Sequence, residues 1–174
     1  MTPPNITLRD ATPDDAAALI DYLIALRAEA LDTISSTPPP TVDAERAWIE
    51  ASAQAEHDAI LVLDAGDRLV GILDIRSGKR AHNRHCGVFG MSIDKDWRGR
   101  GLGERLVRAA LERCAGWPDF HRLELNVVPW NRPAIALYEK LGFEQESVIR
   151  KGVNLRGAPE DLLVMRYLWD RDSG

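Results

Sequence analysis

The sequence predicts an α+β fold with a mixed, mostly antiparallel sheet of about seven strands and helices on both sides, in the order β-α-α-β-β-β-α-β-α-β-β. Three observations carry this expectation. Two apolar runs, Ile60-Leu61-Val62-Leu63 and residues 69–75, flank the turn residues Ala65-Gly66-Asp67, the pattern of an antiparallel hairpin. Two amphipathic segments, 101–113 and 131–141, each lie between extended segments and so read as helical crossovers. The chain has 174 residues, 45% of them apolar, which is enough to bury one substantial core, and a single domain over residues 1–174 is expected.

Ile6-Thr7-Leu8-Arg9 alternates as a short strand. Thr12-Pro13-Asp14-Asp15 follows with a hydroxyl N-cap, proline at the first helical position and early acids, which together start a helix. Leu19, Leu23, Leu26 and Ala30, with Ile20 and Leu31 beside them, recur at helical spacing and give it one apolar face. Thr37-Pro38-Pro39-Pro40 ends it, because proline has no amide donor and cannot continue a helix. A second helix is expected over 43–54, around Trp48 and Ile49. After the hairpin a strand is predicted over 86–93. Gly90 stands out within it: such a glycine packs no side chain and marks a bulge or a close approach of a ligand to the backbone. Leu102, Leu106, Ala109 and Ala110 set helical spacing over 101–113, and Leu123, Leu125 and Val127 alternate with Glu124 and Asn126 as the next strand. Asn131 caps a helix with Pro133 in its first turn, with Ala134, Leu137, Tyr138 and Leu141 on its buried side, and Gly142 supplies the left-handed residue that ends it. Strands over 143–150 and 162–168 follow, joined by an exposed loop over 152–161 that holds two glycines and a proline.

A formal charge of −5 and a pI near 5.4 provide no field that attracts nucleic acid, and the basic residues are scattered. No apolar run is long enough for a membrane span, and residues 1–18 carry acids and prolines where a signal peptide needs an apolar stretch. A cytoplasmic location is expected. Cys86 and Cys114, far apart in sequence, fit buried thiols of a reduced compartment better than a disulfide framework. His82, His85 and Cys86 have no second Cys/His pair at metal-site spacing, so no metal is expected.

Trp97-Arg98-Gly99-Arg100-Gly101-Leu102-Gly103 lies directly between a predicted strand and a predicted helix. The first turn of a helix has unpaired N–H groups and partial positive charge, and glycines let phosphate oxygens reach the backbone. Arg98 and Arg100 add forked donors suited to phosphate. A glycine-rich turn that binds nothing is the plain alternative. A P-loop would need a Gly-Lys-Ser/Thr that is absent, and the dinucleotide fingerprint is broken by Glu104 at its third small position.

Arg98-x-x-Gly101-x-Gly103 resembles the phosphate-binding pattern Gln/Arg-x-x-Gly-x-Gly/Ala of the GNAT superfamily of N-acetyltransferases. Gly90-Met91-Ser92-Ile93 is similar to the family's preceding bulged strand, and Asn131-x-x-Ala134-x-x-x-Tyr138-Glu139-Lys140-x-Gly142-Phe143 to its later helix. The resemblance is specific over 86–143, and residues 157–165 loosely resemble the branch of amino-acid and polyamine acetyltransferases. It implies acetyl-CoA as cosubstrate, without a metal, and a small amine or amino acid as acceptor. A protein N-terminal or lysine acetyltransferase and a non-catalytic acyl-CoA sensor are the alternatives. By the same resemblance, the main chain of Met91, Ser92 and Ile93 would hold the pantetheine arm and the thioester carbonyl. Arg98, Gly99, Arg100, Gly101, Leu102 and Gly103 would hold the pyrophosphate. Asn131 would contact the cofactor, unless it only caps its helix, and Tyr138 would protonate the departing thiolate, unless it only fills the core. Glu124 is the first candidate for the base that takes the amine's proton, and His85 the second. A homodimer is expected only as the commonest soluble assembly.

Overall fold

The computed structural model describes residues 5–29, 39–155 and 157–170. Its elements in chain order are β1 (Thr7–Asp10), α1 (Ala16–Ala28), α2 (Val42–Gln54), β2 (Ala59–Asp64), β3 (Leu69–Ser77), β4 (Cys86–Ile93), α3 (Leu102–Ala115), β5 (Arg122–Val127), α4 (Arg132–Lys140), β6 (Glu144–Leu155) and β7 (Ala158–Leu168). This is the expected order. Short 3-10 turns at Pro13–Asp15 and Lys95–Trp97 precede α1 and α3. Of the residues assigned to the first helix and its proline stop, Ala30, Leu31, Thr37 and Pro38 lie outside the described residues.

The strands form one sheet in the order β1-β2-β3-β4-β5-β7-β6. Among the described strands, β4 and β5 are the one parallel pair, and α3 makes the crossover that such a pair needs. Alternation along each strand sorts side chains onto two faces. Leu61, Leu63, Leu73, Ile75, Phe89, Leu123 and Leu125 pack with Leu102, Leu106 and Val107 of α3 and with Ile135 and Tyr138 of α4. On the other face Ile60, Val62 and Ile72 pack with Leu19, Tyr22 and Leu26 of α1 and Ile49 of α2. Arg9 ties the layers at one edge: its guanidinium donates to Asp15 at 2.7 and 2.8 Å and to Asp64 at 2.8 and 3.1 Å. No described helix is long and apolar enough to cross a membrane.

Four local expectations change. The loop over 152–161 is mostly strand: β6 and β7 pair out to Leu155↔Ala158, with Gly157 at φ +77° in the turn that joins them. The glycine before it, Gly152, falls within a break in register between Ile149 and Val153, where Lys151 has φ +52° and donates its N–H to Asp161 at 2.8 Å. Gly90 does not sit in a bulge, since β3 and β4 pair without a register shift from Gly71↔Ile93 to Ser77↔Gly87. In α4 the fully buried residues include Ile135, while Ala134 and Leu137 are half-buried because they border the groove described next. Of the two thiols, Cys114 is buried and Cys86 only half-buried.

Candidate active site

β4 and β5 pair over only three residues, Cys86↔Arg122 to Val88↔Glu124, and then part. Beyond Val88, alternate peptide groups of β4 therefore face an opening instead of a neighbouring strand. The opening frees the backbone that a bulge had been expected to free. A groove of about 880 Å³ runs through it, lined by Gly90, Met91, Ser92 and Ile93 on one side and Leu125, Asn126, Val127 and Val128 on the other.

One end of the groove is the turn into α3. Gly99 and Gly101 have φ +72° and +76°, the left-handed region that side chains resist, and a Cβ at either would meet nothing within 4 Å. The turn thus offers open backbone at a helix N-terminus, the arrangement that suits a pyrophosphate. Gly103 has a different reason: a Cβ there would stand 3.2 Å from Leu137 Cδ2, so its absence lets α3 and α4 close together. The arginines are partly committed. Arg98 donates to the Ile93 carbonyl at 2.9 Å and to Glu29 at 2.6 Å, which ties β4 to the end of α1. Arg100 donates to the Asp96 carbonyl at 2.8 Å and lies over the Trp97 ring, 4.8 Å from its centre, and it is not among the groove-lining residues. Glu104, which lines the groove here, is held by Arg108 and Lys140 at 2.7 Å each, so its charge is offset.

Tyr138 lines the groove from the α3/α4 face, 7% exposed, with Phe89 and Phe143 ring centres 5.8 and 5.9 Å away. Burial pushes its phenol up to about 12, so it is a protonated donor at neutral pH. Asn131 lines the groove and also caps α4, its side chain accepting from the Ala134 N–H at 3.4 Å. The groove thus gathers Met91, Ser92, Ile93, Arg98, Gly99, Gly101, Leu102, Gly103, Asn131 and Tyr138. Glu124 and His85 are not among its lining residues. The Glu124 carboxylate accepts from Arg122 at 2.7 Å, and Arg122 also holds Glu146. The His85 ring faces His121, with centres 6.1 Å apart.

Several lining residues carried no sequence signal that pointed to the groove. Leu26 reaches the groove from α1, Val153 and Leu155 reach it from the part of β6 expected to be a loop, and Leu162 reaches it from β7. Tyr22 of α1 donates its hydroxyl hydrogen to Ser92 Oγ at 2.9 Å, a contact across 70 residues. Such contacts follow from packing, which local spacing does not report.

Residues 21–143 match the acetyltransferase (GNAT) family. The L-amino acid N-acetyltransferase AaaT of Escherichia coli (strain K12) is 36% identical over 104 residues, 60% of this chain and 64% of that relative, so the match spans just under two thirds of its length. An acetyltransferase of the GNAT family from Streptococcus pneumoniae superposes with a TM-score of 0.87 at 26% identity, covering 95% of this chain and all of that one (100%). The structure of yncA from Salmonella typhimurium, solved with its cofactor acetyl-CoA, superposes with a TM-score of 0.83 at 20% identity over 97% of this chain and 96% of that one. The matched segment runs from α1 through the turn before α3 to the end of α4 and so takes in both halves of the groove: the chain belongs to the acetyltransferase (GNAT) family.

Proposed function

We propose that this protein is an acetyl-CoA-dependent N-acetyltransferase whose acceptor is the primary amine of a small molecule or amino acid, with one domain over residues 1–174 serving both substrates. One observation carries the reading: a single opening between β4 and β5 joins an anion-suited helix N-terminus to a buried phenol and reaches through to the α1/α2 face. The backbone of the turn at Gly99, Gly101, Leu102 and Gly103 would receive the pyrophosphate, aided by Arg98, Arg100 and the dipole of α3. The unpaired edge of β4 at Met91, Ser92 and Ile93 would hold the pantetheine arm and donate to the carbonyl oxygen as charge develops there. Asn131 would support the arm from α4. Tyr138 would give its proton to the departing sulfur. A thioester is already an activated acyl donor, so a positioned neutral amine can attack directly and no covalent enzyme intermediate is needed. An amino acid as acceptor draws support from the name of the relative AaaT.

The test is thiol release from acetyl-CoA across a panel of amines, amino acids and peptides. Release with small amines or amino acids supports the reading. Release confined to peptides would favour a protein acetyltransferase, and binding of acetyl-CoA with no acceptor-dependent release would favour a sensor.

A further inference from the structure

Alkyl ammonium groups have pKa values of roughly 10, so a proton must leave the nitrogen before it can attack. The groove lining offers little to take it. Its carboxylate, Glu104, sits at the phosphate turn and is held by Arg108 and Lys140. Tyr138 is on the α3/α4 face, where the sulfur is expected. Tyr22 donates its hydroxyl hydrogen to Ser92, and burial raises its pKa, which suits neither loss nor gain of a proton.

Asp74 is placed differently. It lies on β3 opposite Gly90 and shares with Ile72 the face covered by α1 and α2. Residue 90 has no side chain, and Asp74 Oδ1 lies 3.2 Å from the point where a Cβ would stand. Beyond the adjoining residues, no other described atom comes within 4 Å of that point. Gly90 itself lines the groove; Asp74 is not a lining residue and stands one strand back, with its carboxylate oxygen against the gap that the glycine leaves. Arg76 Nε fixes the other oxygen, Oδ2, at 2.8 Å. Oδ1 is left toward the gap.

We propose that Asp74 is the proton acceptor of the reaction, taking an ammonium proton on Oδ1 across the space left by Gly90. This assignment rests on the N-acetyltransferase reading above. In the balanced sequence, one ammonium proton passes to Asp74, and the freed nitrogen pair forms the N–C bond. The C–S bond breaks with its electron pair on sulfur, which takes a proton from Tyr138. A second nitrogen proton restores the Tyr138 hydroxyl, and the proton on Asp74 leaves to solvent. The products are amide, thiol and one proton. Nitrogen and sulfur chemistry thus fall on opposite faces of the sheet, with Asp74 behind Gly90 on one face and Tyr138 lining the groove on the other.

The charged surroundings suit the role. Burial raises the pKa of Asp74 and the Asp58 charge raises it further, while Arg76 opposes both. Glu45 faces it from α2, 4% exposed, with its own pKa raised by burial and by the Asp74 charge. A carboxylate in its ordinary range is a weak base at neutral pH, and upward displacement brings it closer to a useful one.

The test uses the full chain and one amine accepted by the wild type. It compares kcat/KM against pH, and the acetyl-CoA Kd, for wild type, Asp74→Asn, Arg76→Met and Glu124→Gln. Asp74→Asn should keep Kd within about twofold, lose roughly 10²- to 10⁴-fold in kcat/KM and lose the acidic limb of the profile. Arg76→Met should move that limb to higher pH, because the guanidinium favours the carboxylate form. Glu124→Gln should leave the profile in place. An intact acidic limb in Asp74→Asn, or its loss in Glu124→Gln, would overturn the assignment alone. If Asp74→Asn does not fold, an unmoved limb in Arg76→Met does so. A wild type that binds acetyl-CoA but releases thiol with no amine overturns the acetyltransferase reading and this assignment with it.

Discussion

Tyr138 both packs against neighbouring rings and lines the groove, and one substitution separates its ring from its hydroxyl. Its ring is packed against Phe89 and Phe143, and its hydroxyl belongs to a residue that lines the groove. Tyr138→Phe keeps the ring and removes the hydroxyl, so packing and acetyl-CoA affinity should hold. If the hydroxyl protonates the thiolate, kcat should fall by roughly 10- to 10⁴-fold, read from steady-state kinetics beside the acetyl-CoA Kd. Wild-type turnover would make Tyr138 core filling. The tyrosine was legible in the sequence because its helix repeats a recognisable spacing from Asn131 to Phe143. Asp74 was not, because its place beside Gly90 is a register fact: residue 74 stands opposite residue 90 only once β3 and β4 have paired. Glu124 drew notice through strand alternation, which gives the face a residue occupies but not its partner, and its partner is Arg122.

At the scale of elements, the turn into α3 separates its glycines by cause. Gly101 is the N-cap of α3 in the left-handed region with open space around it, whereas Gly103 has a helical neighbour to accommodate. Gly101→Val should therefore abolish the melting-temperature rise given by acetyl-CoA. A β-branched residue resists positive φ, at a cost of roughly 1–2 kcal/mol, and its side chain would occupy the open space proposed for phosphate oxygens. Thermal melts with and without acetyl-CoA measure this, and an undiminished shift in a folded variant would remove the turn from the binding site. The turn was readable because its signal is local. The β6–β7 hairpin was misread because glycine and proline signal a turn without saying how short it is: Gly157 makes the turn, while Pro159 sits inside β7 opposite Asn154.

Over the whole molecule, the described strands form one sheet in which β4 and β5 pair only as far as Val88 and Glu124 and then part to leave the groove. Ligand in that opening should stabilise the native state by mass action, so acetyl-CoA should raise the melting temperature while NADH should not. The sheet must also stay attached to α1, and Arg9 holds that edge by pairing at once with Asp15 before α1 and Asp64 at the end of β2. The Arg9 hydrogen bond lowers the Asp15 carboxyl to about 2 from an ordinary 3.8, against an opposing effect of burial. Asp64 is displaced in the same direction, chiefly by the Gly66 N–H and then by Arg9. A carboxyl whose pKa is lower folded than unfolded contributes stability that is present above the unfolded value and lost as pH falls through the folded one. The contribution from Asp15 should thus be complete above about pH 4 and disappear toward pH 2, with a size of about 2 kcal/mol given 1.36 kcal/mol per unit. Asp15→Asn should cost that amount at neutral pH yet little at pH 2, so denaturant melts of variant and wild type should converge on acidification. A gap that stays constant across that range would mean that the residue acts through the turn geometry it shares with Thr12 rather than through its charge.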